Sequence, residues 1–201
     1  MGERLITDEQ LLVEHQRGNA AAMRALIARY QSELFTFLLR FVGDAGHAED
    51  LFQDTFVLVH RHAATFDPSR RFRPWLFTIA ANKARDFLRS LPRKNAANSP
   101  LLDAHGDGPT VLDLQPAADP GPPEILARQE EVARMKVCLA ALPTLYREVV
   151  VLSYFHQFSY QEMADMLNVP LGTVKSRLHA AISQLSQGMA RAAEVAGEGA
   201  E

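Results

Sequence analysis

The sequence predicts an all-α protein built as two small helical domains joined by a flexible linker, and three observations carry that expectation. Apolar residues recur at spacings of three and four, the period of a buried helical stripe, and nowhere is there a convincing two-residue alternation of the kind a strand needs. Helix-capping residues and helix stops punctuate both ends of the chain. Between them, SPLLDAHGDGPTVLDLQPAADPGPP is rich in Pro, Gly and Asp and has too few spaced apolar residues to build a core.

The elements follow in order. Thr7 with Gln10 three residues on makes a capping box for a first helix, and Gly18 is its stop. Asn19 caps a long second helix, whose stripe runs through Met23, Leu26, Ile27, Tyr30, Leu34, Phe37, Leu38 and Phe41 until Gly43 ends it. A third helix is expected from about Gly46 to His62, and a fourth from Pro74, where proline suits the first turn, to about Leu91 and Pro92. Helical pattern resumes with EILARQEEVARMKVCLAAL, pauses at Pro143 and continues through YREVVVLSYFH. Two short helices follow, separated by Asn168, Val169 and Pro170, the first opened by a Ser159/Glu162 capping box. The expected domains are residues 1–92 with four helices, an acidic linker at 93–122, a helix-turn-helix domain at 123–191 and a disordered acidic tail at 192–201.

Charge is distributed unevenly along a chain whose formal net charge is −3. Arg61 to Lys94 holds nine Lys or Arg against Asp67 and Asp86, whereas Asn98 to Met135 holds seven acids against Arg128 and Arg134. That asymmetry fits a patch facing nucleic acid beside an acidic tether. The single cysteine, Cys138, excludes an intramolecular disulfide and a Cys-based zinc cluster within the chain, and a small residue in a helix interior is its ordinary role. No segment approaches the roughly 20 apolar residues that cross a membrane, and MGERLITDEQ is charged where a signal peptide is apolar, so a cytoplasmic protein without membrane insertion is expected.

In the C-terminal half, about 100° per residue places Val174, Leu178, Ile182 and Leu185 on one side of the last helix, to cover Met163, Ala164 and Leu167. Thr173, Ser176, His179 and Ala180 lie opposite, flanked by Lys175 and Arg177. A small-residue face between long cationic arms suits a helix that enters a major groove. The alternative is a helical hairpin with an ordinary polar side. In the N-terminal half, HAEDLFQDTFVLVHRH puts Asp50, Gln53, Asp54 and Val57 on one strip, with Leu51, Phe52, Thr55, Phe56 and Val59 facing elsewhere. Alone, such a strip is usually a solvated helix face.

The block LPTLYREVVVLSYFHQFSYQEMADMLNVPLGTVKSRLHAAISQL resembles the fourth conserved region of sigma-70 family RNA polymerase sigma factors, especially the extracytoplasmic-function group. PLGTVKSRL is its most specific part. The run from His47 to Arg89, with FDPSRRFRPWLFTIAANKARDFLR, resembles the second conserved region of the same family, and the two blocks stand in the family's order. The resemblance implies a sigma factor that binds core RNA polymerase and directs promoter-specific initiation. It implies that Asp50, Gln53 and Asp54 dock on the β′ clamp helices, that Arg70, Arg71, Arg73, Asn82 and Lys83 meet the −10 element, and that Thr173, Lys175, Ser176, Arg177 and His179 meet the −35 element. It also implies a β-flap contact for the C-terminal domain and an anti-sigma protein as partner. Two departures stand out. Ala180 and Ala181 occupy positions where the family commonly has arginine, and no tryptophan pair lies near Thr78 and Ile79. Phe72 and Trp75 are candidates for base stacking or, with Leu76 and Ile79 on the same helical face, for the module core.

Other functions fit less of the chain. A stand-alone helix-turn-helix regulator leaves His47 to Arg89 unexplained. His47, Glu49, Asp50, His60 and His62 match no zincin or facial-triad spacing, and no phosphate loop or nucleophile elbow occurs, so neither enzyme activity, a metal nor a cofactor is expected.

Overall fold

The computed structural model describes residues 6–91 and 122–198, and all its regular elements are helical. The N-terminal module consists of α1 (Asp8–Gln16), α2 (Ala20–Val42), α3 (Ala45–His62) with a 3₁₀ turn at Ala63–Thr65, and α4 (Phe72–Ser90). The C-terminal module consists of α5 (Pro122–Ala141), α6 (Thr144–Val150) prolonged by a π turn at Val151–Phe155, α7 (Tyr160–Leu167) and α8 (Leu171–Glu198). The segment expected as the linker lies outside the described residues except for Pro122, which opens α5.

Local chemistry sets most helix ends. Thr7 and Gln10 form the reciprocal capping box of α1, and the Asn19 side chain accepts from the Ala21 N–H to start α2. Gly43, at φ 82°, closes α2 in the left-handed conformation that glycine adopts without strain, and Asp44 then caps α3 by accepting from the His47 N–H at 2.8 Å. The fourth helix begins two residues before Pro74. The reason is tertiary: the Glu9 carboxylate of α1 accepts from the Phe72 N–H at 2.8 Å, satisfying a first-turn donor from a distant helix.

The N-terminal core is aromatic and fully enclosed. Leu12, Leu26, Leu34, Phe37, Leu38, Phe41, Phe72, Leu76 and Phe77 are all buried without residual exposure, each large side chain contributing about 1.5–3 kcal/mol by leaving water. Phe72 is buried, and Trp75 is half-buried with its ring 4.8 Å from that of Phe66 and 5.8 Å from that of Phe72, so both belong to this core.

In the C-terminal module, Asn168 at φ 51° turns the chain between α7 and α8, the tight corner of a helix-turn-helix. Two sequence expectations are corrected here. The last helix is not short: it spans 28 residues and runs through Glu198, past the break expected at 192. The residue it buries beside Val174 and Leu178 is Ala181, while Ile182 stays 39% exposed and Leu185 is half-buried. Small residues allow α8 to approach its neighbours closely. A Cβ on Gly188 would lie only 3.2 Å from the Cys138 sulfur of α5, which also accounts for a small residue at position 138.

Candidate nucleic-acid interface

On α3, burying Leu51, Thr55, Phe56 and Val59 leaves Asp50, Gln53, Asp54 and Val57 together on the solvent side. Val57 is 48% exposed in this acidic strip. Asp54 accepts an ion pair from Lys83 of α4 at 2.7 Å, at the edge of a shallow cleft of about 280 Å³ that also meets His47, Asp50 and Phe87. The strip expected from the helical period is present, with one of its three polar members already paired to a cation assigned to another role.

The basic loop before α4 is folded by Asp67. Its carboxylate accepts from the backbone N–H and the hydroxyl of Ser69, and the Ser69 N–H bond is the main reason its pKa lies below the usual carboxylate range. This turn projects Arg70 and Arg71, whose side chains are 81% and 76% exposed. Beside them a wide cleft of about 870 Å³ runs between the loop and α1, meeting Glu9, Gln10, Val13 and Arg17. Asn82 is exposed on α4 and accepts from Arg85 at 2.7 Å. Arg73 differs from its neighbours. It is turned inward, with its guanidinium bonded to Glu33 of α2.

On α8 the first turns present Lys175, Ser176 and His179 to solvent, with Thr173 and Arg177 half-buried. The Ser176 hydroxyl donates to the Thr173 carbonyl at 3.0 Å. The α7 scaffold beneath is held by the Ser159/Glu162 capping box. Arg177 adds positive charge beside Glu148, an acid in α6 that is only 1% exposed.

Sequence reasoning did not foresee that the two modules pack on one another. Arg73 donates to the His156 carbonyl at 2.7 Å and lies 4.2 Å from the centroid of the Phe158 ring. Arg71 pairs with Glu162 at 2.9 Å, Arg147 donates to the Phe41 carbonyl at 2.8 Å, and the Arg85 Nε stands 2.9 Å from the Glu148 carboxylate. That last contact is an ion pair without a hydrogen bond's alignment. The Phe158 ring meets Phe77 at 5.2 Å, and the His156 ring meets Phe37 and Phe77. These partners are separated by 63 to 119 residues, so no local pattern announces them.

Two acids at this seam respond oppositely to it. Burial alone would raise Glu33, but hydrogen bonds from His156 and Arg73 outweigh it and hold the carboxyl down at about 2. For Glu148 burial dominates and pushes it up to about 7, against the pull of Arg85, Arg177 and Arg89. Burial likewise lowers His156, favouring the neutral ring in spite of Glu33. Among the described residues, no cluster of three or more His, Cys, Asp or Glu is placed to hold a metal ion, and no helix is long and apolar enough to cross a membrane.

Two family models match the chain: Sigma-70 region 2 over residues 26–94 and Sigma-70, region 4 over residues 133–185. The ECF RNA polymerase sigma factor SigW of Bacillus subtilis is 30% identical over 167 residues, covering 82% of this chain and 87% of the relative. Among solved structures, CnrH in complex with the cytosolic domain of CnrY matches with 29% identity and a TM-score of 0.64, covering 90% of this chain and 95% of that one. The fold is shared with the sigma factor RpoE in complex with the anti-sigma factor NepR from Bartonella quintana, at 23% identity and a TM-score of 0.59, over 83% of this chain and 95% of that one.

Proposed function

The chain belongs to the sigma-70 family of RNA polymerase sigma factors, in its extracytoplasmic-function group, and directs promoter-specific transcription initiation; from that premise we propose how its two modules divide the work. The N-terminal module docks through Asp50, Gln53 and Asp54 on the β′ clamp helices of core RNA polymerase. Its basic loop and α4, through Arg70, Arg71, Arg73, Asn82 and Lys83, hold the single-stranded −10 element. The C-terminal module presents Thr173, Lys175, Ser176, Arg177 and His179 to the −35 duplex and meets the β-flap. Residues 93–122 serve as the tether between modules at 1–92 and 123–191.

The observation that carries this reading is the pairing of opposite surfaces on one module. An acidic exposed strip on α3 suits a basic protein partner, and the exposed arginines at the head of α4 suit a nucleic-acid backbone. The polymerase supplies all the chemistry, the chain acts where the polymerase is, in the cytoplasm, and an anti-sigma protein restrains it, as in the NepR complex of the Bartonella quintana neighbour.

Ala180 leaves α8 without a cation where the family commonly has arginine, and Ala181 is spent on packing, so the −35 module alone holds DNA weakly. A gel-shift experiment tests this division of labour. The chain alone is expected to leave duplex promoter DNA unshifted at concentrations where the chain with core polymerase shifts it fully. A shift by the chain alone, unchanged by core polymerase, would instead describe a stand-alone helix-turn-helix regulator.

A further inference from the structure

Away from the surfaces assigned above, two imidazoles from different helices meet nitrogen to nitrogen. His15, in the last turn of α1, places its Nε2 2.9 Å from the Nδ1 of His60 in the last turn of α3. The ring centroids are 5.0 Å apart and the planes are inclined at 53°, so the rings do not stack and meet through the atoms that carry their lone pairs.

Between two neutral rings this contact is one hydrogen bond, because only one of the facing nitrogens can hold the proton. Burial, and after it the charge of His60, lowers the pKa of His15 and keeps its ring neutral. The Asn19 backbone favours a proton on the side of that ring away from His60, which leaves the Nε2 lone pair facing its neighbour. His60 is exposed, so its own proton can be carried on Nε2 instead of Nδ1. Both facing nitrogens are then donors of an electron pair, and a backbone group orients the more enclosed ring, as the outer partners of ligating histidines do.

The spacing fits one ion bound by both rings. With metal–nitrogen bonds of about 2.0–2.1 Å, two imidazole nitrogens at a right angle lie roughly 2.9 Å apart, and at a tetrahedral angle roughly 3.3 Å apart. The observed 2.9 Å is the separation of neighbouring corners of a square-planar or octahedral ion, which suits Ni²⁺ or Cu²⁺ and is tight for tetrahedral Zn²⁺.

We infer that His15 and His60 form a two-histidine site for a borderline divalent transition-metal ion, held between α1 and α3 with water at the remaining positions. Two protein ligands make the site an exchangeable one. Its effect follows from what α1 touches. Beside the site the Gln16 amide donates to the Ala63 carbonyl at 2.6 Å, and in the first turn of the same helix Glu9 accepts from the Phe72 N–H at the head of α4. An ion shared by His15 and His60 ties this strut to α3 and stabilises the module that carries the acidic strip and the basic loop.

The full chain, free of any histidine tag, is titrated with Ni²⁺ alone. At free ion tenfold above the dissociation constant, the unfolding temperature is expected to rise by roughly 3–6 °C. His60→Gln, at an exposed position, and His15→Gln are each expected to weaken binding at least tenfold and to abolish that rise. His62→Gln is expected to change neither, since two residues along the helix its side chain points about 200° away from that of His60. Cu²⁺ bound to the unaltered chain is expected to show two nitrogen ligands by electron paramagnetic resonance, and fewer than two in His60→Gln. An unmoved unfolding temperature, full binding by His60→Gln, or an equal loss in His62→Gln would each overturn the inference. If His15→Gln does not fold, the Cu²⁺ spectra of the unaltered chain and of His60→Gln decide between two rings and one.

Discussion

Replacing Asp50 and Gln53 together with alanine is expected to weaken binding to core RNA polymerase by about ten- to a hundredfold, with the unfolding temperature unchanged. Both side chains are exposed on α3, and its buried residues Leu51, Thr55, Phe56 and Val59 are untouched by the change, so stability should move by no more than ~0.5 kcal/mol. Interface residues that lose a charged or amide contact with a basic partner typically cost about 1.4–2.8 kcal/mol, which is that range of affinity. Fluorescence titration of labelled chain with core polymerase reads the affinity, and thermal unfolding reads the fold. Unchanged affinity in a folded variant would remove the strip from the docking surface. Asp54 is a poorer test residue, because its loss also releases Lys83 from their 2.7 Å pair.

The second large effect belongs to α8. Lys175→Ala is expected to reduce initiation about tenfold at a promoter bearing its −35 element, and to have little effect on a matched template with that element scrambled, where initiation is already low. Lys175 is exposed on the second turn of α8, flanking the face that lies opposite the buried Val174 and Leu178, and a lost groove contact of this kind costs about 1–3 kcal/mol. Arg177→Ala should lower initiation too, but it cannot isolate DNA contact. Arg177 is half-buried and contributes positive charge beside enclosed Glu148, so its removal also perturbs the module's interior. An equal loss on both templates with Lys175→Ala would mean that this lysine supports the fold or the polymerase contact and does not read the −35 element.

What could be read from the sequence follows the range of the forces involved. Capping boxes at Thr7 and Ser159, the Asn19 cap and the Gly43 stop act within four residues, and each stands where the sequence placed it. The acidic strip of α3 was legible for the same reason, since a helix with one strongly apolar face must present the other to solvent. Helical period alone could not decide between Ala181 and Ile182, because neighbouring positions differ by only 100° and the choice went to the smaller side chain that lets α8 approach its partners. The start of α4 was misplaced because its first N–H is satisfied by Glu9, 63 residues earlier. The role of Arg73 was hidden altogether. Its partners, Glu33 and His156, lie 40 and 83 residues away, and a basic residue in a basic run gives no sign that it points inward. Glu148 carried a weak signal. An acid one turn before Leu152, followed directly by three valines, lies on a face that has to be buried.

The same division explains why the surfaces of the two modules were readable while their relation was not. Each module's outer face is what its own helices leave exposed. The seam is a set of long-range contacts among arginines, carboxylates, carbonyls and aromatic rings, and any one of them has an ordinary surface explanation when met alone.

Mapping of transcript 5′ ends tests the central claim most directly. Core RNA polymerase reconstituted with this chain on fragmented genomic DNA is predicted to start transcripts at a discrete set of positions, each preceded by the same two short sequence elements near −10 and −35 at a constant spacing. Start positions identical to those of core polymerase alone, or new starts that share no pair of upstream elements, would contradict it.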